Sequence, residues 1–245
     1  SMSDIPGGSE LAFELDGRGP LTVWREPEEG HHYVLGVDSA EGIRGGDNSA
    51  ACVLDIHSME QVSEWAGIAD PYLFAEQVAT LAKWYNNGLV AIEINGHGLS
   101  VLNRMRDIGY WNLYNRKAFD QVQRTWLNKQ GWHTNVKTKL LMVDHARKVI
   151  REGEVIVNSP DLIAELSTMI IMENGSVEAQ RGAHDDRAMA WMIALQARET
   201  AIFDKPAEEA AHVRHEDSWI WDRTDQMFRD SARAEREDTF TFNNY

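Results

Sequence analysis

Four carboxylates stand out by where they fall in the chain. Asp38 closes the β-prone run Tyr33-Val34-Leu35-Gly36-Val37, and Glu93 falls at the C-terminal end of a second short apolar run, Leu89 to Ile94. Asp185 and Asp186, preceded by His184, open a segment whose Ala188, Met189, Met192, Ile193 and Leu195 face a core. A lone charge beside buried chain costs on the order of several kcal/mol unless a partner or a metal compensates it. Sites so far apart in sequence can meet only through the fold. If they meet, their hard oxygens suit Mg2+ or Mn2+, and three or four of them could hold two ions about 4 Å apart. Two such ions activate water, orient a scissile phosphate and stabilise the entering and leaving oxygens of an in-line displacement. Simpler roles compete with this one. An acid before glycines is commonly a turn residue, and acids in a first helical turn are favoured by the helix dipole. Capping accounts for one aspartate, but not for an adjacent pair behind a histidine.

The elements that must position these acids can be read in order. Residues 33–38 and 50–54, separated by Gly42, Gly45 and Gly46, predict a hairpin with Asp38 on its first strand. Gln61 to Ala69 predicts a third strand, and Asp70-Pro71 a helix start, with Leu73, Phe74, Val78, Leu81, Ala82 and Tyr85 at helical spacing until Asn86-Asn87-Gly88. The strand carrying Glu93 follows, then a helix from Ser100 to Ile108. In an open α/β sheet ligands sit beyond the strand ends, so two strand-end carboxylates are candidates to share that crevice. Residues 110–137 suit a hairpin or loop excursion. Thr138 to Glu152 predicts an amphipathic helix, Glu154 to Val157 a short strand, and Ser159-Pro160-Asp161 a further helix to about Thr168. Met169 to Gln180 predicts a hairpin turning at Asn174-Gly175.

Composition sets the outer limits. The chain has 245 residues, 43% of them hydrophobic, enough for a proper core. Its apolar runs fall short of the roughly 20 residues of a membrane span, and the first residues lack the pattern of a signal peptide. The single cysteine, Cys52, falls in a predicted buried strand, which suits a reducing compartment. Residues 1–30 are rich in breakers and acids and are expected to be a cloning scar, Ser1-Met2, and a linker or leading arm with one short strand at Leu21 to Trp24. The domain proper is expected over 31–200. Residues 201–245, with Trp219, Trp221 and Phe228, form a charged extension that is either partner-binding or partly disordered.

A net charge of −15 argues at first against nucleic acid. Its distribution reverses the argument locally. From Arg104 to Arg151 eleven bases face only Asp107, Asp120 and Asp144, a net +8, interleaved with Trp111, Tyr114, Trp126 and Trp132. This band reads either as a polyanion-facing surface or as a solvated helical face. On the first reading Lys137, Lys139, Arg147, Lys148 and Arg151 contact phosphates of DNA.

The three acidic stretches, GVDSAEGIRGGDNSA, VAIEINGHG and GAHDDRAMAWMIA, resemble the motifs of the C-terminal nuclease domain of the large terminase subunit of tailed bacteriophages. The resemblance covers roughly Tyr33 to Arg198. It implies an α/β ribonuclease H-like fold, a mixed central sheet flanked by helices. It also implies a metal-dependent endonuclease that cuts concatemeric double-stranded viral DNA in the cytoplasm of the infected bacterial host, using Mg2+ or Mn2+, two ions in all. Carried over by position, Asp38 would bridge both ions, Glu93 would bind one, and one or both of Asp185 and Asp186 would complete the site. Asp47 would stand behind these ligands, and His184 would orient an acid or a phosphate. The expected partners are the portal protein, the small terminase subunit and the packaging ATPase domain of the same polypeptide. That ATPase carries a G-x-x-x-x-G-K-[ST] loop which is not found in this sequence, so an excised domain without ATPase activity is expected.

Other readings have their own signatures. A resolvase or transposase of the same fold would use a similar acid cluster, but the His184-Asp185-Asp186 start favours the terminase. A His-Asp phosphohydrolase needs upstream histidine ligands, and His97, His133 and His145 lack that spacing. His212 and His215 are one helical turn apart, either a zinc pair or exposed tail residues. A non-catalytic docking module of the packaging machine would carry the acids as surface and cap residues. Such a module would gain no stability from Mn2+.

Overall fold

The strand that carries Asp38, β4 (Tyr33–Asp38), is buried through Val37 and is an interior strand of a five-stranded sheet in a computed structural model of the chain. The structure describes residues 2–4, 11–13, 19–43, 45–120, 124–172 and 176–203. Residues 204–245 of the charged extension, with His212 and His215, and the Asn174-Gly175 turn lie outside them.

β4 pairs antiparallel with β5 (Ser49–Asp55), Asp38 opposite Ala50, which is the predicted hairpin. β6 (Gln61–Gly67) continues antiparallel from β5, and β3 (Leu21–Val23) closes that edge. On the other side β7 (Leu89–Ile92) runs parallel to β4. The order β3-β6-β5-β4-β7 is therefore mixed, as expected. The parallel step needs a crossover, and α1 (Pro71–Trp84) supplies it. Asp70 starts this helix, its carboxylate accepting the N–H groups of Tyr72 and Leu73 at 2.9 and 3.4 Å, with Pro71 at the first helical position. A separate strand pair, β1 (Met2–Asp4) with β2 (Leu11–Phe13), stands in the segment read as a linker or arm.

Alternation sends each strand's side chains to two faces. Tyr33, Leu35 and Val37 of β4, with Ala51 and Val53 of β5, join Phe74, Val78 and Leu81 of α1 and Val101 and Met105 of α2 (Gly98–Asp107) in one core. The opposite face, where Gly36 lies, receives a longer helix, α5 (Asp186–Phe203). A Cβ on Gly36 would overlap the backbone of Ala190 and Ala194, so the two backbones are in direct contact. Residues 188–195 of α5 are all buried, the mark of a helix enclosed on every side. α3 (Val136–Glu152) packs alongside it, where the Gln196 amide and His145 Nδ1 meet at 2.8 Å.

Several boundaries differ from expectation. Strand β7 ends at Ile92, one residue short of Glu93, whose pairing is a single parallel bridge to Trp132. The predicted strand at 154–157 is reduced to one bridge, Ile156 with Glu60, because Asn158 and Ser159 turn away to give their N–H groups to the Gln61 side chain at 3.1 and 3.0 Å. The excursion at 110–137 contains a hairpin, β8 (Asn115–Asp120) and β9 (Thr125–Gln130). Its outer part, residues 117–128, belongs to a second compact unit, in which Phe119 and Trp126 meet edge to face at 5.4 Å. α4 (Pro160–Thr168) and the paired strands β10 (Met169–Ile171) and β11 (Val177–Ala179) follow as expected. Among the described residues no helix is long and apolar enough to cross a membrane.

Candidate functional site

Beyond the C-terminal ends of β4 and β7 lies a cleft of about 470 Å3. Its walls carry Asp38, Asp47, Glu93, Asp185 and Asp186 together with Glu41 and Lys139, so all three remote acidic segments contribute to it. Each arrives by a different local device. Asp38 is the last residue of β4. Glu93 is delivered beside it by the parallel pairing, its N–H donating to the Val37 carbonyl at 2.9 Å. Gly98 opens α2 so close to this point that a Cβ would overlap the Glu93 carbonyl oxygen, which explains the glycine in Asn95-Gly96-His97-Gly98. Asp185 precedes α5, its carbonyl accepting the Met189 N–H at 2.7 Å, and Asp186 is the first residue of that helix.

The electrostatics of the cleft are those of crowded negative charge. Burial pushes the Asp38 carboxyl well above the usual range, and Glu93, near enough to share a hydrogen bond with it, pushes it further, as do Asp186 and Asp185. Asp186, only 7% exposed, is raised to about 6, mainly by burial, although the Asn48 N–H donates to its Oδ2 at 3.1 Å and opposes the shift. Lys139, from the second turn of α3, places Nζ 2.8 Å from Asp185 Oδ2. An Asn135–Thr138 capping box fixes the start of that helix. His184 Nδ1 stands 3.5 Å from Asp47 Oδ1 and 3.8 Å from Asp186 Oδ2 at the exposed rim.

Asp38, Glu93, Asp185 and Asp186, held at one cleft with Lys139 as the one lysine on its wall among the described residues, form a donor set that hard divalent cations fit. The side chains do not stand as a closed ligand shell: among the described residues no three His, Cys, Asp or Glu groups already converge on a metal position. Asp185 is turned to Lys139 and Asp186 to Asn48, contacts an ion would have to rearrange.

Of the five basic residues expected to meet phosphate, Lys139 alone lines the cleft among the described residues. Lys137, Arg147 and Arg151 are exposed along α3, and Lys148 approaches Glu152 at 3.7 Å. A neighbouring group went unread in the sequence. Arg187 lies between Glu64 of β6 and Glu165 of α4, at 3.0 Å from each. Its place directly after the acidic pair was the available signal.

Comparison with known proteins bears on the fold and the family. The solved structure of the large terminase nuclease from thermophilic phage G20c, with bound magnesium, superposes with a TM-score of 0.59 at 18% identity, over 74% of this chain and 89% of that one. The large terminase nuclease domain of Thermus phage P74-26 gives 0.57 at 18% identity, over 73% and 86%. At this identity the likeness speaks to the fold alone. No curated protein matches the chain in sequence. The family model described as the Terminase RNaseH-like domain matches residues 35–198, a span that takes in all three acidic segments and the helices behind them. The chain belongs to the Terminase RNaseH-like domain family, and its fold is ribonuclease H-like.

Proposed function

We propose that the chain is the metal-dependent endonuclease domain of a viral DNA-packaging terminase large subunit, hydrolysing phosphodiester bonds of concatemeric double-stranded DNA. The observation that carries this reading is the meeting of Asp38, Glu93 and the Asp185-Asp186 pair at one cleft in a chain of this family. The G20c nuclease has been solved with magnesium and with cobalt, and the same class of ion, Mg2+ or Mn2+, fits the oxygen donors here.

In this reading Asp38 would be the central ligand, Glu93 would serve one ion, and one or both of Asp185 and Asp186 would complete a two-ion site. Bound there, the ions would supply an activated water and charge neutralisation for in-line displacement at phosphorus. The protein's own groups do the rest. At the rim His184 stands between Asp47 and Asp186 and offsets part of their negative charge, and the Lys139 ammonium beside Asp185 would be at hand for a backbone phosphate. Lys137, Arg147, Lys148 and Arg151 extend a positive band along α3 for the duplex. The catalytic domain is taken as 31–200, with the leading arm before it lending its sheet the edge strand β3, and a charged extension from 201. Its working partners are the packaging ATPase domain, the portal protein and the small terminase subunit, in the cytoplasm of the infected host.

Nicking of supercoiled plasmid tests the reading. Cutting with Mn2+ or Mg2+ that EDTA abolishes, and that Asp38→Asn and Glu93→Gln lose, is the expected result. Cutting that persists in both variants rejects the assignment.

A further inference from the structure

α5 turns by about 100° per residue, so the side chain after Asp186 leaves the cleft. That residue, Arg187, is absent from the cleft wall and reaches instead to a polar cluster built on the buried Glu64 and Glu165. Its Nε lies 3.0 Å from Glu64 Oε1, its Nη1 3.0 Å from Glu165 Oε1, and its Nη2 3.3 Å from Asp161 Oδ2. The second oxygen of Glu165 accepts the Ala188 N–H at 3.0 Å. One carboxylate therefore grips the start of α5 twice, through a side chain and through the backbone. Glu64 is itself held, accepting from Ser159 Oγ and from the Gln61 amide at 3.1 Å each.

This arrangement is costly as a stabilising device. The buried residues of α4 include Glu165 beside Leu162, so a helix of nine residues docks partly through a carboxylate. Buried ion pairs roughly break even against well-packed apolar groups, so stability alone is a weak reason for the cluster. Fixing a position is a better one. On the cleft side the charges of Asp186 and Asp185 act against that of Asp38, with Lys139 offsetting only the Asp185 carboxylate, a repulsion that favours displacement of the start of α5 from β4. The Arg187 clamp resists that displacement from behind, one residue from the acids.

We propose that Arg187, clamped by Glu64 and Glu165, is a positioning residue that holds Asp185 and Asp186 against Asp38 and so sets the affinity of the site for divalent cations. The inference rests on the nuclease reading, because it concerns the geometry of that metal site.

Calorimetric titration of the full chain with Mn2+ tests it, with near-ultraviolet circular dichroism and thermal melting to establish that each variant is folded. Arg187→Lys keeps the charge but loses the fork, and Glu165→Gln loses the grip on Arg187. Each is expected to remain folded and to bind Mn2+ at least tenfold more weakly. The Mn2+ concentration for half-maximal plasmid nicking should rise in parallel, with KM for DNA unchanged. A merely structural role would lower the melting temperature and leave the isotherm of the folded protein alone. If the wild type binds Mn2+, Asp38→Asn does not, and both clamp variants bind as the wild type does, the positioning role is overturned and the nuclease reading stands. If the wild type binds no Mn2+, both fall together. Should Arg187→Lys fail to fold, Glu165→Gln decides the question by the same isotherm.

Discussion

Gly36 and Ala190 touch backbone to backbone: a Cβ on the glycine would overlap the alanine's carbonyl oxygen. Gly36 stands two residues before Asp38, and Ala190 four residues after Asp186. The contact therefore fixes the distance between the first and third acidic segments. Gly36→Ala should destabilise the fold by on the order of 3 kcal/mol, because neither backbone can move aside cheaply. Urea unfolding measures this, and folded Gly36→Ala should have lost metal-dependent nicking along with its stability. A neutral effect on both would mean that α5 can shift without harm.

The crowding of the acids predicts opposite effects with and without metal. Asp38→Asn removes a charge that burial, Glu93, Asp186 and Asp185 all disfavour, so the metal-free protein should melt at the same or a higher temperature. The stabilisation that Mn2+ gives the wild type should vanish in the same variant. Thermal melting with Mn2+ and with EDTA reads both effects.

How far the site could be read from sequence depends on the range of its contacts. Asp38 was legible because a β-prone apolar run ends on it, and Asp70-Pro71 because a cap is a local signal. Gly36 could be read only as an interruption of a strand, since its reason lies more than 150 residues away in α5. The Arg187 clamp was invisible because its partners come from β6 and α4, 123 and 22 residues distant, and no periodicity links them. Lys139 was read from the charge of its neighbourhood as a phosphate contact, whereas its placement beside Asp185 depends on how α3 packs.

pH should act on folding and on metal binding in opposite senses. Asp186 is raised from 3.8 to about 6, so the folded protein holds that proton more tightly than the unfolded chain does. Its contribution to metal-free stability is therefore present below about pH 4 and is lost as pH rises through about 6. Metal binding needs the deprotonated carboxylates and gains over that same interval. Melting scans from pH 4.5 to 8 should show the gap between the Mn2+ and EDTA curves widening through pH 6. A gap that stays constant would remove Asp186 from the ligand set.

Lys139 competes with a cation for Asp185 and also offers a charge to DNA. Lys139→Met should bind Mn2+ more tightly, about two- to fivefold on the scale of a partly exposed ion pair, yet cut plasmid more slowly. Calorimetry and nicking rates on the same preparation would separate the two effects. Weakened metal binding would contradict the assigned competition.

The exposed α3 bases make a prediction about salt. Replacing Lys137, Arg147 and Arg151 together with Ala should weaken duplex binding and reduce the slope of log affinity against log salt by about two to three. Fluorescence anisotropy with a labelled duplex at several salt concentrations measures that slope. An unchanged slope would place the DNA path elsewhere.

The central claim is that Asp38, Glu93 and the Asp185-Asp186 pair hold divalent metal in one cleft. Anomalous diffraction from crystals grown or soaked with Mn2+ addresses it most directly. The account predicts Mn2+ peaks in that cleft within ligand distance of Asp38, with Glu93 and at least one of Asp185 and Asp186 completing the coordination. A cleft without a peak at millimolar Mn2+, or ions bound only by other residues, would contradict it.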